Sequence, residues 1–290
     1  MAWSERQAAM LKEMGLRVDM PRAVIAVPSV PTAVAAQEPF LQPGFPHAAS
    51  GQGVTSRPGA PPRPAVAPTP VQFQGPRSTD AQTIAAMDWP ELRSAVASCT
   101  ACKLCQGRTQ TVFGVGHVNA HWMVVGEAPG EQEDAQGEPF VGKSGQLLDN
   151  MLRAVGLSRG SAHIEPQADP SKCVYITNSV KCRPPNNRNP AADELAQCEP
   201  FLVRQVALLQ PKIILAMGRF AVQSLLRSSE PIGKLRGRVH HYQGVPLIVT
   251  YHPAYLLRNL EEKARAWDDL CLAVQTYDAL LPLSLPPRSS

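Results

Sequence analysis

The sequence predicts an α/β fold in which a short parallel sheet is covered by helices on both faces. Four short apolar runs have the length and composition of buried strands, and each ends in residues typical of loops. Stretches with helical periodicity alternate with these runs. Such alternation is characteristic of a parallel sheet between two helical layers.

The predicted elements begin at about Met87 and continue almost to the end of the chain. Strands are expected at residues 121–125, 174–177, 212–217 and 246–250, and helices at residues 144–155, 191–209, 219–226 and 261–281. In such sheets, ligands bind beyond the carboxyl ends of the strands. Polar and glycine-rich motifs stand at three of these ends, where Gly126 follows the first strand, Asn178 ends the second and His252 follows the fourth.

The N-terminal region differs from the rest of the chain in composition. It holds thirteen of the 29 prolines within residues 1–87, together with many small residues. Because proline lacks an amide donor and glycine adds backbone freedom, we expect residues 21–86 to be a disordered linker. A disordered tail is expected at residues 282–290. Residues 1–20 show helical periodicity, which fits either a frayed terminal helix or a short amphipathic helix that docks a partner protein.

The composition excludes several classes of protein. No apolar run reaches the roughly 20 residues that a membrane span requires, and no signal peptide is recognisable at the N-terminus. A cytoplasmic location with reduced thiols is therefore expected, without a membrane partner. The formal net charge of +4 permits binding to nucleic acid but does not argue for it.

The cysteines indicate a metal site. In a reducing compartment, seven cysteines point to metal binding or catalysis more than to disulfides. Cys99, Cys102 and Cys105 form a C-x2-C-x2-C motif, and Cys182 and Cys198 lie far downstream. Thiolates from separate segments suit an iron–sulfur cluster or a zinc site, and both metals favour sulfur. The spacing alone does not exclude Cys105 as a ligand.

An acidic glycine loop follows the first strand. It runs from Gly126 through Glu127 and Ala128 to Gly130, and three further acids, including Glu133, come next. These acids argue against a phosphate-binding loop. A carboxylate at a strand end can position water or stabilise a developing positive charge, whereas the alternative is a solvated acidic loop. Phe140, slightly downstream, fits either a core position or an aromatic platform for a planar ligand.

The distal motifs suit contact with nucleic acid. The Asn178 amide can read a base edge, although asparagine at a strand end is also a common turn residue. The segment 181–188 is basic and fits either a DNA backbone contact or a solvated loop. After His252, an unusually apolar loop suits a wedge inserted into a base stack, with a cation for phosphate; its residues are Tyr255, Leu256, Leu257 and Arg258.

Together these motifs resemble the family 4 uracil-DNA glycosylases, the iron–sulfur type. The matching strings lie in order between about Cys99 and Asp269. The resemblance implies a three-layer α/β/α fold and a uracil-DNA glycosylase domain at residues 87–281. It also implies a structural [4Fe–4S] cluster held by four cysteines, with Cys105 outside the ligand set; the implied ligands are Cys99, Cys102, Cys182 and Cys198.

The resemblance implies a DNA repair chemistry as well. Uracil is flipped out of single- or double-stranded DNA, and its N-glycosidic bond is hydrolysed to leave an abasic site for base excision repair. The implied catalytic residues are Glu127, which positions water or offsets the charge of the sugar, and His252, which donates to uracil O2. The implied uracil-binding residues are Gly126, Ala128, Glu133 at the C5 side, Phe140 as platform and Asn178 as reader. The implied DNA wedge and backbone contacts are Tyr255, Leu256, Leu257 and Arg258.

Two departures from related families refine this expectation. The best-known uracil glycosylase family has an aspartate where this chain has Ala128, and a sister iron–sulfur family lacks the acid at Glu127. Glu127 therefore favours the uracil-specific branch. The competing hypothesis is a non-catalytic iron–sulfur protein that binds DNA or is associated with replication. We further expect a nucleoid-associated monomer, with a replication or repair protein as the partner of residues 1–20.

Overall fold

A computed structural model describes residues 80–159 and 168–281, and the structural statements below concern these two ranges. The expected docking helix at residues 1–20 and the expected tail at residues 282–290 lie outside the described residues. So does the expected linker, except for its last seven residues.

The centre of the fold is a six-stranded sheet with the strand order β1-β3-β2-β4-β6-β5. In chain order, the strands are β1 Val115–Gly116, β2 Trp122–Gly126, β3 Val174–Asn178, β4 Ile213–Met217, β5 Val239–Tyr242 and β6 Val245–Thr250. The four inner strands β3, β2, β4 and β6 are mutually parallel, and they are the four strands that the sequence predicts. The parallel sheet is thus confirmed, but two antiparallel edge strands, β1 and β5, were not foreseen.

Nine α-helices occur in the described ranges. They are α1 Ala81–Ala86, α2 Trp89–Ala97, α3 Glu131–Gln136, α4 Lys143–Ala154, α5 Ala192–Leu209, α6 Arg219–Leu226, α7 Ile232–Leu235, α8 Pro253–Leu256 and α9 Lys263–Asp278. Helices α4, α5, α6 and α9 correspond to the four predicted helices. Within the described ranges, no helix combines the length and the apolar character needed to cross a membrane.

Alternate residues of the strands feed two separate cores. Val124 and Leu215 face a core closed by α4 and α9, where Leu148 and Trp267 are almost fully buried. Their sequence neighbours face a second core closed by α5 and α6. Because successive side chains of a strand point to opposite faces, strands that are apolar throughout require cover on both sides. The three-layer α/β/α fold is confirmed.

Helical structure is already present ahead of Met87, the residue at which the sequence places the domain boundary. The Asp80 side chain accepts from the amide of Gln82 at the start of α1. In α1, Ile84 is 1% exposed and packs in one cluster with Leu92 of α2 and Phe201 of α5. The last residues of the expected linker are therefore helical, because this apolar side chain has a buried site on the domain.

Candidate active site

An open cleft of about 750 Å³ lies at the carboxyl ends of the parallel strands. It brings together most of the site residues predicted from the sequence, although they are far apart in the chain. Those that line it are Glu127, Ala128, Glu133, Phe140, Asn178, His252, Tyr255 and Arg258. The placement follows from the fold, because parallel strands present all their carboxyl ends at one edge of the sheet.

The ends of β2 and β3 form the floor of this cleft. Gly126 pairs with Asn178 in the parallel register. Beyond the strands, the amide of Ser179 donates to the Gly126 carbonyl at 3.0 Å, and the amide of Val180 donates to the Glu127 carbonyl at 3.2 Å. The loop that carries Glu127 is therefore fixed to the segment that carries Asn178.

At Gly126, the Asn178 side chain and the Phe140 ring lie close together at the edge of the cleft. A Cβ atom at residue 126 would collide with Asn178 Oδ1 and would come within 2.6 Å of the Phe140 ring. Asn178 is 2% exposed, and its Oδ1 has no hydrogen-bond partner. Because a buried acceptor without a partner is costly, this oxygen is suited to a donor supplied by a ligand.

His252 lies against Phe140 in a defined protonation state. Its ring stacks on that of Phe140, with centroids 5.3 Å apart and planes inclined by 27°. Nδ1 accepts from the amide of Ala254 at 3.2 Å, so the neutral ring carries its proton on Nε2. Burial lowers the pKa of His252 to about 4, with Glu133 opposing this change and Arg258 reinforcing it. His252 is therefore a neutral hydrogen-bond donor at physiological pH.

The pKa of Glu127 lies near neutral pH. Burial raises its pKa to about 7, and the positive charge of Arg219 counteracts part of this increase. Arg219 and Gly218 also line the cleft and were missed in the sequence. The signal was present, because both directly follow β4, at the same edge where the other candidates were found.

Glu133 organises the cleft more directly than the sequence suggested. One carboxylate oxygen accepts from the amide of Gly130 at 3.0 Å. The other accepts from the amides of Val141 and Gly142 at 3.1 and 3.3 Å. The carboxylate thus joins the acidic loop, through one oxygen, to the segment after Phe140, through the other.

The expected wedge is only partly exposed. Tyr255 is 37% and Leu257 is 40% exposed, and Arg258 is exposed beside them. Leu256 is fully buried in the core beneath α8, so its assignment to the wedge is wrong. The reason is the single helical turn that begins at Pro253, which directs Leu256 inward while its two neighbours face solvent.

The basic segment also contains one residue that faces inward. Lys181 is 1% exposed, and its Nζ donates to Thr177 Oγ1 at 2.6 Å and to the Asn178 carbonyl and Gln205 Oε1, both at 2.7 Å. The expectation of a DNA contact is therefore wrong for Lys181, which instead supports the end of β3. Arg188 does line the cleft and is paired with Glu194.

A second pocket collects five of the cysteines, namely Cys99, Cys102, Cys105, Cys182 and Cys198. Burial, together with the nearby sulfurs of Cys182 and Cys99, raises the pKa of Cys102 to about 11, although a hydrogen bond from the backbone of Leu104 opposes part of this increase. Thiolates here consequently require a positively charged group between them, and an all-sulfur donor set fits an iron–sulfur cluster. No three His, Cys, Asp or Glu side chains in the described ranges are grouped as one metal ion would require.

Two N–H groups already point at sulfur atoms of this pocket. Arg108 Nη1 donates to Cys182 Sγ at 3.0 Å, and the amide of Lys181 donates to Cys198 Sγ at 3.4 Å. Such hydrogen bonds stabilise metal-bound thiolates. This cysteine pocket lies beside the segment that supports Asn178, because Lys181 takes part in both.

Comparison with known proteins agrees with this geometry. The uracil DNA glycosylase superfamily matches residues 113–271, which is more than half of the chain. The chain is 41% identical over 202 residues to the type-4 uracil-DNA glycosylase of Sulfurisphaera tokodaii, covering 64% of this chain and 86% of that protein. It is 38% identical over 196 residues to the type-4 uracil-DNA glycosylase of Pyrobaculum aerophilum, covering 64% of this chain and 93% of the relative.

The chain belongs to the uracil-DNA glycosylase superfamily. Within this superfamily it resembles the type-5 uracil-DNA glycosylase of Pyrobaculum aerophilum less, at 34% identity over 146 residues, which cover 49% of this chain and 64% of that protein. The family expected from the sequence is thus confirmed, and with it a uracil-DNA glycosylase function in DNA repair.

Proposed function

We propose that this chain flips uracil out of single- or double-stranded DNA into the cleft beside Asn178 and Phe140 and hydrolyses its N-glycosidic bond, leaving an abasic site. The observation that carries the proposal is the buried, unpaired Oδ1 of Asn178 beside the Phe140 ring. A flipped base would stack on the ring and bring the N–H donor that this oxygen lacks.

Asn178 accounts for the choice of uracil. Its Oδ1 accepts from uracil N3–H while its Nδ2 donates to uracil O4. Cytosine presents an acceptor at N3 and a donor at C4, so both contacts fail. Each buried polar group left unpaired costs about 1–3 kcal/mol, which favours uracil by a large factor. The backbone of Gly126 and Ala128 borders the same base.

His252 stabilises the leaving group. As the bond between sugar and base breaks, negative charge develops on uracil O2. The Nε2–H of His252 donates to this oxygen, and its neutral state is fixed by the amide bonded to Nδ1. A neutral donor stabilises the uracil anion without first having to acquire a proton from solvent.

Glu127 acts on the sugar side of the breaking bond. Its carboxylate offsets the positive charge of the oxocarbenium-like sugar, orients the water that attacks it and takes up the proton that this water loses, while the departed uracil anion takes a proton from solvent. Ala128 supplies no second acid, so this one carboxylate carries the task. Glu133 holds the loop in place, and its proposed position at the C5 side of the base would exclude the methyl group of thymine.

The DNA is engaged by the exposed loop after β6. Tyr255 and Leu257 fill the gap that the flipped nucleotide leaves in the base stack, and Arg258 contacts a phosphate. The Tyr255 ring stacks on Tyr251 at 5.1 Å, which limits the conformational freedom of the wedge before DNA binds.

We further propose that a [4Fe–4S] cluster is held by Cys99, Cys102, Cys182 and Cys198. When bound, it supplies a covalent link between the segment after α2, the segment after β3, and α5. Cys105 lines the same pocket but stays outside the ligand set. Purified protein should contain iron and acid-labile sulfide, which Cys182→Ser should largely abolish and Cys105→Ser should leave intact.

The decisive experiment measures uracil release from an oligonucleotide with one U·G pair, using the full chain purified anaerobically and a T·G oligonucleotide as control. Release is expected from U·G alone. Glu127→Gln and His252→Ala should each lose about 100-fold or more in rate while still binding DNA, and the exposed Glu131→Gln serves as matched control. Iron-loaded protein that binds DNA but releases no uracil would refute the enzyme and favour the non-catalytic alternative.

A further inference from the structure

The platform residue Phe140 has an unusual backbone conformation. Its φ is +56°, in the left-handed region that residues other than glycine, asparagine and aspartate seldom adopt. The side chain is nonetheless 5% exposed and stacked on His252. Such a conformation persists only where surrounding contacts compensate for its cost.

Besides Glu133, which accepts from the amide of Val141, the carbonyls at this position are held by Arg159, which lies after α4. Its Nη1 donates to the Pro139 carbonyl at 2.7 Å, and its Nη2 donates to the Phe140 carbonyl at 2.8 Å. Its Nε and Nη2 also donate to Asp149 Oδ1 at 3.0 and 2.9 Å. One guanidinium thus holds two successive carbonyls on one side and a carboxylate of α4 on the other.

The helix itself completes the support. A Cβ atom at residue 145 would overlap the Phe140 carbonyl oxygen, so only glycine allows α4 to approach this backbone. The Phe140 carbonyl is therefore enclosed by Gly145 and Arg159 together. A lysine has no planar fork of donors and cannot hold two carbonyls and a carboxylate in the same way.

We propose that Arg159 is a positioning residue for uracil excision, acting through Phe140. By fixing the left-handed backbone of Phe140, it holds the aromatic platform in its stacked position against His252, so that the ring is in place when the base arrives. This inference rests on the proposed function, in which uracil stacks on Phe140. Asp149 orients the guanidinium of Arg159 and therefore acts on Phe140 indirectly, through Arg159.

A double-mutant cycle tests this inference, with Phe140→Ala, Arg159→Ala and their combination. Single-turnover excision from a U·G oligonucleotide and the inhibition constant of free uracil are measured beside the melting temperature. Arg159→Ala should slow excision by up to about 100-fold and should weaken inhibition by free uracil. Because Arg159 acts through Phe140, the double variant should be no worse than Phe140→Ala.

Three further variants sharpen the cycle. Arg153→Ala is the matched control, because this exposed arginine of α4 bonds only to Asn150 among the described side chains, and it should behave as wild type. Arg159→Lys should recover part of the loss. Asp149→Ala keeps both carbonyl contacts and should show a smaller loss of the same kind, which gives a readout even if Arg159→Ala does not fold.

The possible failures are distinguishable. The role of Arg159 would be overturned, with the proposed function left standing, if the losses of the two single variants multiplied in the double variant. The same would follow if free uracil inhibited Arg159→Ala and Asp149→Ala as it does wild type while Phe140→Ala was defective. Unchanged uracil inhibition in Phe140→Ala would instead contradict the platform in the proposed function.

Discussion

The pKa of Glu127 gives the most quantitative prediction, which concerns the pH dependence of uracil excision. A pKa of about 7 leaves about one tenth of the enzyme ionised at pH 6 and about nine tenths at pH 8. Because the carboxylate is the form proposed to offset the charge of the sugar, kcat/KM should rise about tenfold over this interval. His252, with a pKa of about 4, stays neutral throughout.

The assay is excision from a U·G oligonucleotide between pH 5.5 and 8.5 at constant ionic strength. The pH profile of kcat/KM reports the pKa of Glu127 in the free enzyme. The rise in kcat should be displaced to higher pH, because the DNA phosphates add negative charge around Glu127 in the complex and raise its pKa. Glu127→Gln should be slow at every pH, and the exposed Glu131→Gln should keep the wild-type profile. A flat wild-type profile, or a rise that persists in Glu127→Gln, would refute the reasoning.

The same pKa has a consequence for stability, with a definite sign. The folded value of about 7 lies above the ordinary value of 4.5, so ionising Glu127 in the cleft costs free energy. That cost is absent below about pH 4.5, grows as the pH rises to about 7, and is constant above it. Because Glu127 is partly exposed, about 3 kcal/mol is an upper limit for the unfolding free energy lost in this way. Glu127→Gln should therefore be more stable than wild type at pH 8 and equally stable at pH 4, as denaturant titration would show.

Two further predictions follow from neighbouring features. Leu256→Ala should cost about 2–5 kcal/mol of unfolding free energy because it leaves a cavity in the core. Leu257→Ala should leave stability unchanged and should slow excision from double-stranded DNA more than from single-stranded DNA. Equal effects on both substrates would contradict the proposed wedge. Arg108→Gln should lose the proposed cluster about tenfold faster in the presence of a chelator, because the charged hydrogen bond to Cys182 is lost. Visible absorption would follow the loss. The exposed Lys103→Gln is the control, and equal rates would contradict this role.

Local patterns were sufficient to predict the centre of this fold. The four inner strands are short runs of apolar residues, so hydrophobicity alone locates each of them within one residue. The rule that ligands bind at carboxyl ends then placed Glu127, Asn178 and His252 in one cleft. The edge strands were not predicted, because β1 has only two residues and β5 is largely exposed, so neither shows a clear hydrophobic pattern.

The errors concern the direction in which side chains point. Lys181 was expected at the surface because its segment is basic, and Leu256 because its apolar loop was interpreted as a DNA wedge, yet tertiary contacts turn both inward. Arg159 went unnoticed because its importance comes from two carbonyls about twenty residues earlier in the chain. Contacts of this kind depend on the path of the backbone, which no local pattern encodes.

The packing of α1 and α2 determines how far the protein can be shortened. The family match begins at residue 113, but Cys99 and Cys102 precede it, and Ile84 and Leu92 are buried against Phe201 on the helix that carries Cys198. A fragment cut at the start of the match would lose two of the four proposed sulfur ligands and expose an apolar face of α5. The smallest self-sufficient unit must therefore begin at or before Asp80, which caps the first described helix.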